Sequence, residues 1–303
     1  MRTHGLIGVP SSAGAHYPGQ EKTPAALRDA GIEDRLTRAG ISITDYGDLP
    51  LVVCRVDPNT SHSERVADVR SVAGGVADYV ERIVAAQQVP LVIGGDCTIT
   101  IGVVAGFVRS QPDLALLYID GGLDAVTPPA YRLGRLDSTG LAHLVAEPDC
   151  EPTLSEMGSR YPLMAGKNIV PFGYAPGEPP AAEQEFLMRH GIRGYSLSVI
   201  NGETVQAAME ARSRLERQAE RFLVHFDVDV IDFIDFPAAD VLQPKRGLKF
   251  TDAFAALRVF CVSPKFGGLI VTEFNPDHDD KNGTLAKRLI DALARTLSSP
   301  SVS

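Results

Sequence analysis

Tryptophan is absent from the 303 residues, which excludes nothing, but other scarcities carry more weight. Cysteine occurs four times, as Cys54, Cys97, Cys150 and Cys261, widely scattered and without a CxxC pair. A disulfide framework is therefore not expected, and a reducing cytoplasm is the expected location. No apolar run approaches the roughly 18 residues of a membrane span, and the opening residues MRTHGLIGVP lack a signal-peptide layout. Basic patches are sparse, and a net charge of -9 opposes broad binding of nucleic acid or anionic membranes. Internal repeats and low-complexity segments are missing too. What is present is a composition 44% hydrophobic, enough to bury a large core.

Along the chain, short apolar runs alternate with helical patterns. Leu6–Val9, Ile41–Asp45, Pro90–Gly95, Leu114–Ile119, Ile169–Gly173 and Gly268–Glu273 read as strands, with a weaker one at Gly194–Leu197. Helices are expected at Thr23–Arg38, with Thr23 as N-cap before Pro24, and at Ser61–Ala86, Ile99–Arg109, Ser138–Val145, Ala181–Arg189, Glu203–Arg221, Thr251–Val262 and Asn282–Leu297. Strands that are continuous apolar runs, alternating with helices, predict a mainly parallel sheet covered on both faces. The expected class is α/β, a single three-layer α/β/α domain over residues 1–303.

The stretch RFLVHFDVDVID, Arg221–Asp232, organises the rest. In an extended chain residues two apart point the same way, so Asp227 and Asp229 would aim their carboxylates into one volume. Such a pair is either solvated at a strand end or neutralised by a hard divalent cation. Three other apolar strands also run into acids: LVIGG into Asp96-Cys97, LLYI into Asp120 and Asp124, and LIVT into Glu273. Ligands of open parallel sheets sit beyond the carboxyl ends of the strands, so these groups should converge on one edge and hold metal.

The ordered motifs GGDC, DGGLD, HFDVDVID and TEFNP resemble GGDH, DAHxD, SFDxDxxDP and E-x-NP of the ureohydrolase family, which comprises arginase, agmatinase, formiminoglutamase and relatives. The similarity spans nearly the whole chain, including LIGVPSSAG and PGQEKTPAALRDAGI near its start. It implies an arginase-like sheet of about eight strands. It further implies hydrolysis of a guanidinium or formimino C–N bond with two bridged Mn²⁺ ions, which lower the pKa of a shared water. A small-molecule substrate and a homo-oligomer, trimer or hexamer, are implied as well. Carried over by residue, Asp120, Asp124, Asp227 and Asp229 match the four metal-binding aspartates, with Asp120 and Asp227 bridging. Glu273 matches the glutamate that pairs with the substrate's cationic end.

Other positions depart from the pattern. Cys97 stands where the family has a ligand histidine. As a thiolate at a helix N-terminus it would favour Zn²⁺ or Fe²⁺ over Mn²⁺; otherwise it is a buried apolar cysteine. Gly122 stands where the second metal's histidine belongs, leaving that ion Asp120, Asp227 and Asp229. Aligned without gaps, Asp137 falls at the acid/base histidine, Val126 at a substrate-binding asparagine, and Leu133 and Arg135 at a substrate-binding serine and asparagine. Asp137 reads either as a proton carrier or as a helix N-cap, and His143 as a packed or surface histidine. Arg135 would repel a cationic substrate group. His225 would lie alongside Asp227, where metal ligation is open to it although the family has serine there. The expected function is hydrolysis of a linear C–N bond at an altered metal site; the alternative is a non-catalytic binding or assembly subunit.

Overall fold

Seven apolar segments pair side by side in the computed structural model, which describes residues 2–57, 59–126, 135–175, 181–241 and 246–298. They are β1 (Thr3–Gly8), β2 (Ser42–Asp48), β3 (Val89–Ile93), β4 (Leu114–Ile119), β5 (Ile169–Phe172), β6 (Arg221–Asp227) and β7 (Phe266–Thr272). All pairings are parallel, in the order β2-β1-β3-β7-β6-β4-β5. The central strands β3, β4 and β7 are buried along their whole length, as continuous apolar runs require when helices cover both faces.

The helices are α1 (Thr23–Asp29), α2 (Ile32–Arg38), α3 (His62–Ala85), α4 (Ile99–Ser110), α5 (Gly140–Leu144), α6 (Pro152–Ser155), α7 (Ala181–His190), α8 (Leu197–Ile200), α9 (Thr204–Gln218), α10 (Phe250–Cys261) and α11 (Thr284–Leu297). One core joins α1, α2 and α9 to α11 to one sheet face; the other packs α3 and α4 on the opposite face. No described helix is long and apolar enough to cross a membrane.

Three expectations change. Residues 194–197 supply only a bridge from Tyr195 to Phe172, so among the described residues the sheet has seven strands, close to the expected eight. Ser196 then caps α8 by accepting from the Val199 amide at 3.3 Å, which turns the chain away from the sheet. The helix expected over 23–38 divides at Gly31, whose φ of 84° ends one helical run and starts another. Thr23 is not the N-cap; Lys22 is, while the Thr23 hydroxyl donates to the Phe274 carbonyl.

Helix α3 starts with a full capping box, Ser61 and Glu64 bonding each other's backbone amides. Its contact with α4 is very close. A Cβ placed on Gly102 would lie 2.4 Å from the Ala73 carbonyl oxygen, and one on Gly106 would lie 2.2 Å from that of Ala77. The absence of side chains there sets the depth at which α4, and the turn before it, lie over the sheet.

Candidate metal centre

The carboxyl ends of the adjacent strands β3, β7, β6 and β4 form one rim, and the site is built from what each delivers. Strand β6 contributes His225 and Asp227, two apart and therefore on the same face. Register sets His225 between Tyr118 of β4 and Ile270 of β7, and Asp227 opposite Thr272. The turn between β3 and α4 lowers Cys97 onto this row. Its thiol donates to Asp227 Oδ2 at 2.9 Å, with Asp120 Oδ2 at 3.9 Å and His225 Nε2 at 3.6 Å. Ligand atoms of Cys97, Asp120, His225 and Asp227 all lie within 4.8 Å of one another, and every one of these residues is buried. A second trio, Cys97, Asp137 and Glu273, meets the same criterion.

Backbone amides hold the acids in place. Asp120 accepts from the Gly122 amide at 2.6 Å, Asp227 from that of Asp229 at 2.7 Å, and Asp229 from that of Gly121 at 2.9 Å. Asp124 accepts from the Tyr118 hydroxyl, and its backbone takes a φ of 47° to do so. Asp124 and Asp229 lie outside the close group of ligand atoms, although the charge of Asp120 bears on both. Burial pushes Asp120 up to about 6 and Asp229 up to about 7, and drives Asp124 and Asp227 well above the usual carboxylate range. After burial, neighbouring carboxylates are the main cause at Asp124 and Asp227. Such crowding fits a divalent cation, which would replace the shared protons and cancel the repulsion.

Cys97 corrects one expectation. Its place before a helix was expected to favour the thiolate. Instead burial, followed by the charge of Asp227, pushes the thiol well above its ordinary value. The surrounding acids outweigh the helix end; only a bound cation would reverse that.

Glu273 closes the rim with φ 63°, accepting from the Cys97 amide at 3.1 Å and from Gln20 Nε2 at 2.9 Å. Gln20 also donates to Asp240 at 2.8 Å. Asp137 sits in a short 3-10 turn, Asp137–Thr139, whose N-cap is Leu136, and α5 is capped without its side chain. The N-cap reading of Asp137 therefore fails. Its carboxyl turns inward, one oxygen within 4.8 Å of Glu273 and of Cys97 Sγ, with Oδ1 buried and unpartnered, and burial raises it well above the usual range.

Of the other expected positions, Arg135 is half-buried and its charge bears on His16. Leu133 lies outside the described residues. Val126 donates its amide to the Ser138 carbonyl at 3.1 Å. His143 is a packed histidine, fully buried, with Nδ1 on the Thr139 carbonyl at 2.9 Å and Nε2 accepting the Glu151 amide at 3.2 Å. At Gly122 a Cβ would meet only Asp120 Oδ1 at 3.5 Å and Asp124 Oδ1 at 3.8 Å, ordinary contacts. Sequence reasoning missed Tyr118, Thr100 and Gln20. The available signals were the two-residue parity on β4 and the helical spacing of Thr100 from Cys97.

The sequence pattern of the Arginase family matches residues 2–296. Arginase-1 of Sus scrofa is 30% identical over 279 residues, covering 90% of this chain and 84% of its own. Arginase-1 of Rattus norvegicus is 29% identical over 300 residues, covering 97% and 91%. Among solved structures, arginase from Bacillus caldovelox superposes with a TM-score of 0.88 at 22% identity, covering 100% of both chains. The formimidoylglutamase of Bacillus subtilis gives 0.75 at 16% identity, covering 98% of this chain and 86% of its own. At those identities the superpositions speak for the fold alone, whereas the family match extends over nearly the entire sequence. The chain belongs to the arginase family.

Proposed function

We propose that this chain hydrolyses a linear C–N bond of a guanidino, N-substituted guanidino or formimino compound, at a metal site whose ligands differ from those of its relatives. The observation that carries this is the burial of Cys97, Asp120 and Asp227 in one group, with Asp124 and Asp229 close enough for the charge of Asp120 to bear on them. The ligand set under this reading is Cys97, Asp120, Asp124, Asp227 and Asp229. A bound divalent metal would supply the acidity that makes hydroxide available from water near neutral pH. Glu273 would pair with the cationic end of the substrate. Asp137, close to Glu273 and with one unpartnered oxygen, would carry the proton to the leaving nitrogen. One arginase-like domain over residues 1–303, one or two metal ions and a homo-oligomeric state accompany the reading.

Elemental analysis of protein purified without chelator tests it, followed by urea and ammonia release from arginine, agmatine, guanidinobutyrate, N-hydroxyarginine and formiminoglutamate. Metal content near or above one equivalent with turnover of one compound is expected. Less than one equivalent, with none regained on soaking in Mn²⁺, Zn²⁺ or Fe²⁺, would sink the reading. Plain arginine should be a poor substrate, because Val126, Leu133 and Arg135 stand where polar groups would hold its amino-acid end. Brisk arginine turnover would contradict that.

Two variants probe the individual roles. Asp137→Asn should lower kcat by about 100-fold or more, with little change in metal content, as loss of a positioned proton carrier does. Gly122→His has room at its Cβ and is exposed. It should raise metal content by up to one further equivalent. An unchanged content would show that the second position does not depend on that side chain.

A further inference from the structure

His225 is the one imidazole among the described residues whose ligand atom falls within the cluster of Cys97, Asp120 and Asp227. It interrupts an apolar strand, FLVHFD, and is 0% exposed. Its Nδ1 is 2.8 Å from the Thr100 hydroxyl on α4, a sound hydrogen bond. Its Nε2 makes only long contacts, with Asp120 Oδ2 at 3.5 Å, Thr272 Oγ1 at 3.5 Å and Cys97 Sγ at 3.6 Å. The two oxygen contacts are too long for strong hydrogen bonds, and the sulfur contact is an intrinsically weak one. The ring stacks on Tyr118 at 3.9 Å between centroids and 5° between planes, which fixes its direction. A buried nitrogen is thus held nearly equidistant from a sulfur and a carboxylate oxygen.

The two Nε2 spacings, to Asp120 and to Cys97, fall within the edge lengths of a metal tetrahedron. With bonds of about 2.3 Å to sulfur and about 2.0–2.1 Å to nitrogen and oxygen, tetrahedral ligand atoms stand roughly 3.3–3.6 Å apart. Here three of the edges are 3.5, 3.6 and 3.9 Å. The Cys97–Asp227 edge is shorter at 2.9 Å, as the thiol proton between them demands, and loss of that proton would release it. We infer that His225 supplies, from strand β6, an imidazole to a centre that has none at positions 97 and 122, so that Cys97, His225, Asp120 and Asp227, in place of a set with Asp124 and Asp229, would hold a single zinc-type ion rather than a manganese pair, in a near-tetrahedral shell that expands to admit water as a fifth ligand. A mixed sulfur, nitrogen and oxygen set suits Zn²⁺ or Co²⁺ better than the harder Mn²⁺. With Nε2 as ligand, the ring proton lies on Nδ1 and donates to Thr100, the outer-shell arrangement that orients ligand histidines. The inference deepens the proposed function and rests on its claim that a metal is bound.

The test is an anaerobic titration of the full-length, chelator-stripped protein with Co²⁺, then Zn²⁺ and Mn²⁺. One equivalent of cobalt should give intense tetrahedral bands in the visible and a thiolate-to-cobalt charge-transfer band in the near ultraviolet. Zinc should displace it and equimolar manganese should not. Cys97→Ser should remove the charge-transfer band. His225→Gln should weaken binding by at least tenfold and reshape the visible bands. Thr100→Val should keep the spectrum but weaken binding about 10- to 100-fold, as removal of an outer-shell partner does. Should His225→Gln fail to fold, Thr100→Val and X-ray absorption of the zinc protein, expected to report one sulfur and one imidazole, carry the decision. A pale octahedral spectrum without the thiolate band, unchanged in His225→Gln, overturns this assignment and leaves a carboxylate-held hydrolase standing. No binding of any metal overturns both.

Discussion

Asp227→Asn should give a folded protein that no longer retains divalent metal and loses C–N hydrolysis by at least about 100-fold, more than outer-shell changes typically cost. Asparagine matches the protonated aspartic acid in shape. Protonated is the state that burial and the charges of Asp229 and Asp120 favour in the metal-free protein. Asp227 Oδ1 accepts the Asp229 amide at 2.7 Å, and an asparagine carbonyl can do the same. The side-chain NH₂ would face Cys97, whose thiol can reorient as an acceptor. The melting temperature without metal should therefore hold or rise, while metal content collapses. Unchanged metal content in Asp227→Asn would remove this residue from the centre and leave the acid cluster unexplained.

Metal-free protein should lose stability steeply between about pH 5 and pH 8, the reverse of the usual behaviour of paired carboxylates. Asp120 is pushed up to about 6 and Asp229 up to about 7, from ordinary values of 3.8. A folded-state value above the unfolded one means that the folded chain holds more protons, so stability falls as pH rises through this window. The effect is complete above the folded values and absent below about pH 4, where both states are protonated. Each tenfold preference for the protonated form is worth about 1.4 kcal/mol, so the loss should be visible in chemical unfolding at pH 5.5 and 8. Saturating metal should flatten the profile, because the ion replaces the protons. Asp227→Asn should flatten it partly without metal. A stability that rises toward pH 8 in chelated protein would mean that the acids are less confined than these contacts indicate.

Much of this site was legible before any coordinates. Apolar runs ending in acids locate the strand ends, and parallel packing forces those ends onto one rim; Asp120, Asp227 and Glu273 follow from that alone. Two-residue parity puts His225 beside Asp227, but not whether its ring would find a free hydrogen-bonding partner or a row of ligands. That depended on Thr100, delivered by a helix whose depth no local pattern reports. Asp137 misled for a similar reason. An acid before a helical segment has the local pattern of an N-cap, and only the buried neighbourhood of Glu273 shows its carboxyl turned the other way. The division of the first helix at Gly31 was missed because the apolar spacing continues through it while the backbone does not. The weak strand expected at 194–197 gave way to a serine cap within it, Ser196.

The two bare ridges of α4, at Gly102 and Gly106, make the chemistry sensitive to changes on the far side of that helix. Even one methyl group at either position would collide with a rigid main-chain carbonyl of α3, and α4 would have to ride up. Cys97 and Thr100 would ride with it, away from an imidazole anchored in the sheet. Gly106→Ala, a substitution that touches none of the proposed ligands and alters no charge, would thereby pull Cys97 and Thr100 off register with His225, and on the proposed reading variation along this seam would register as lost metal before it registered as lost fold.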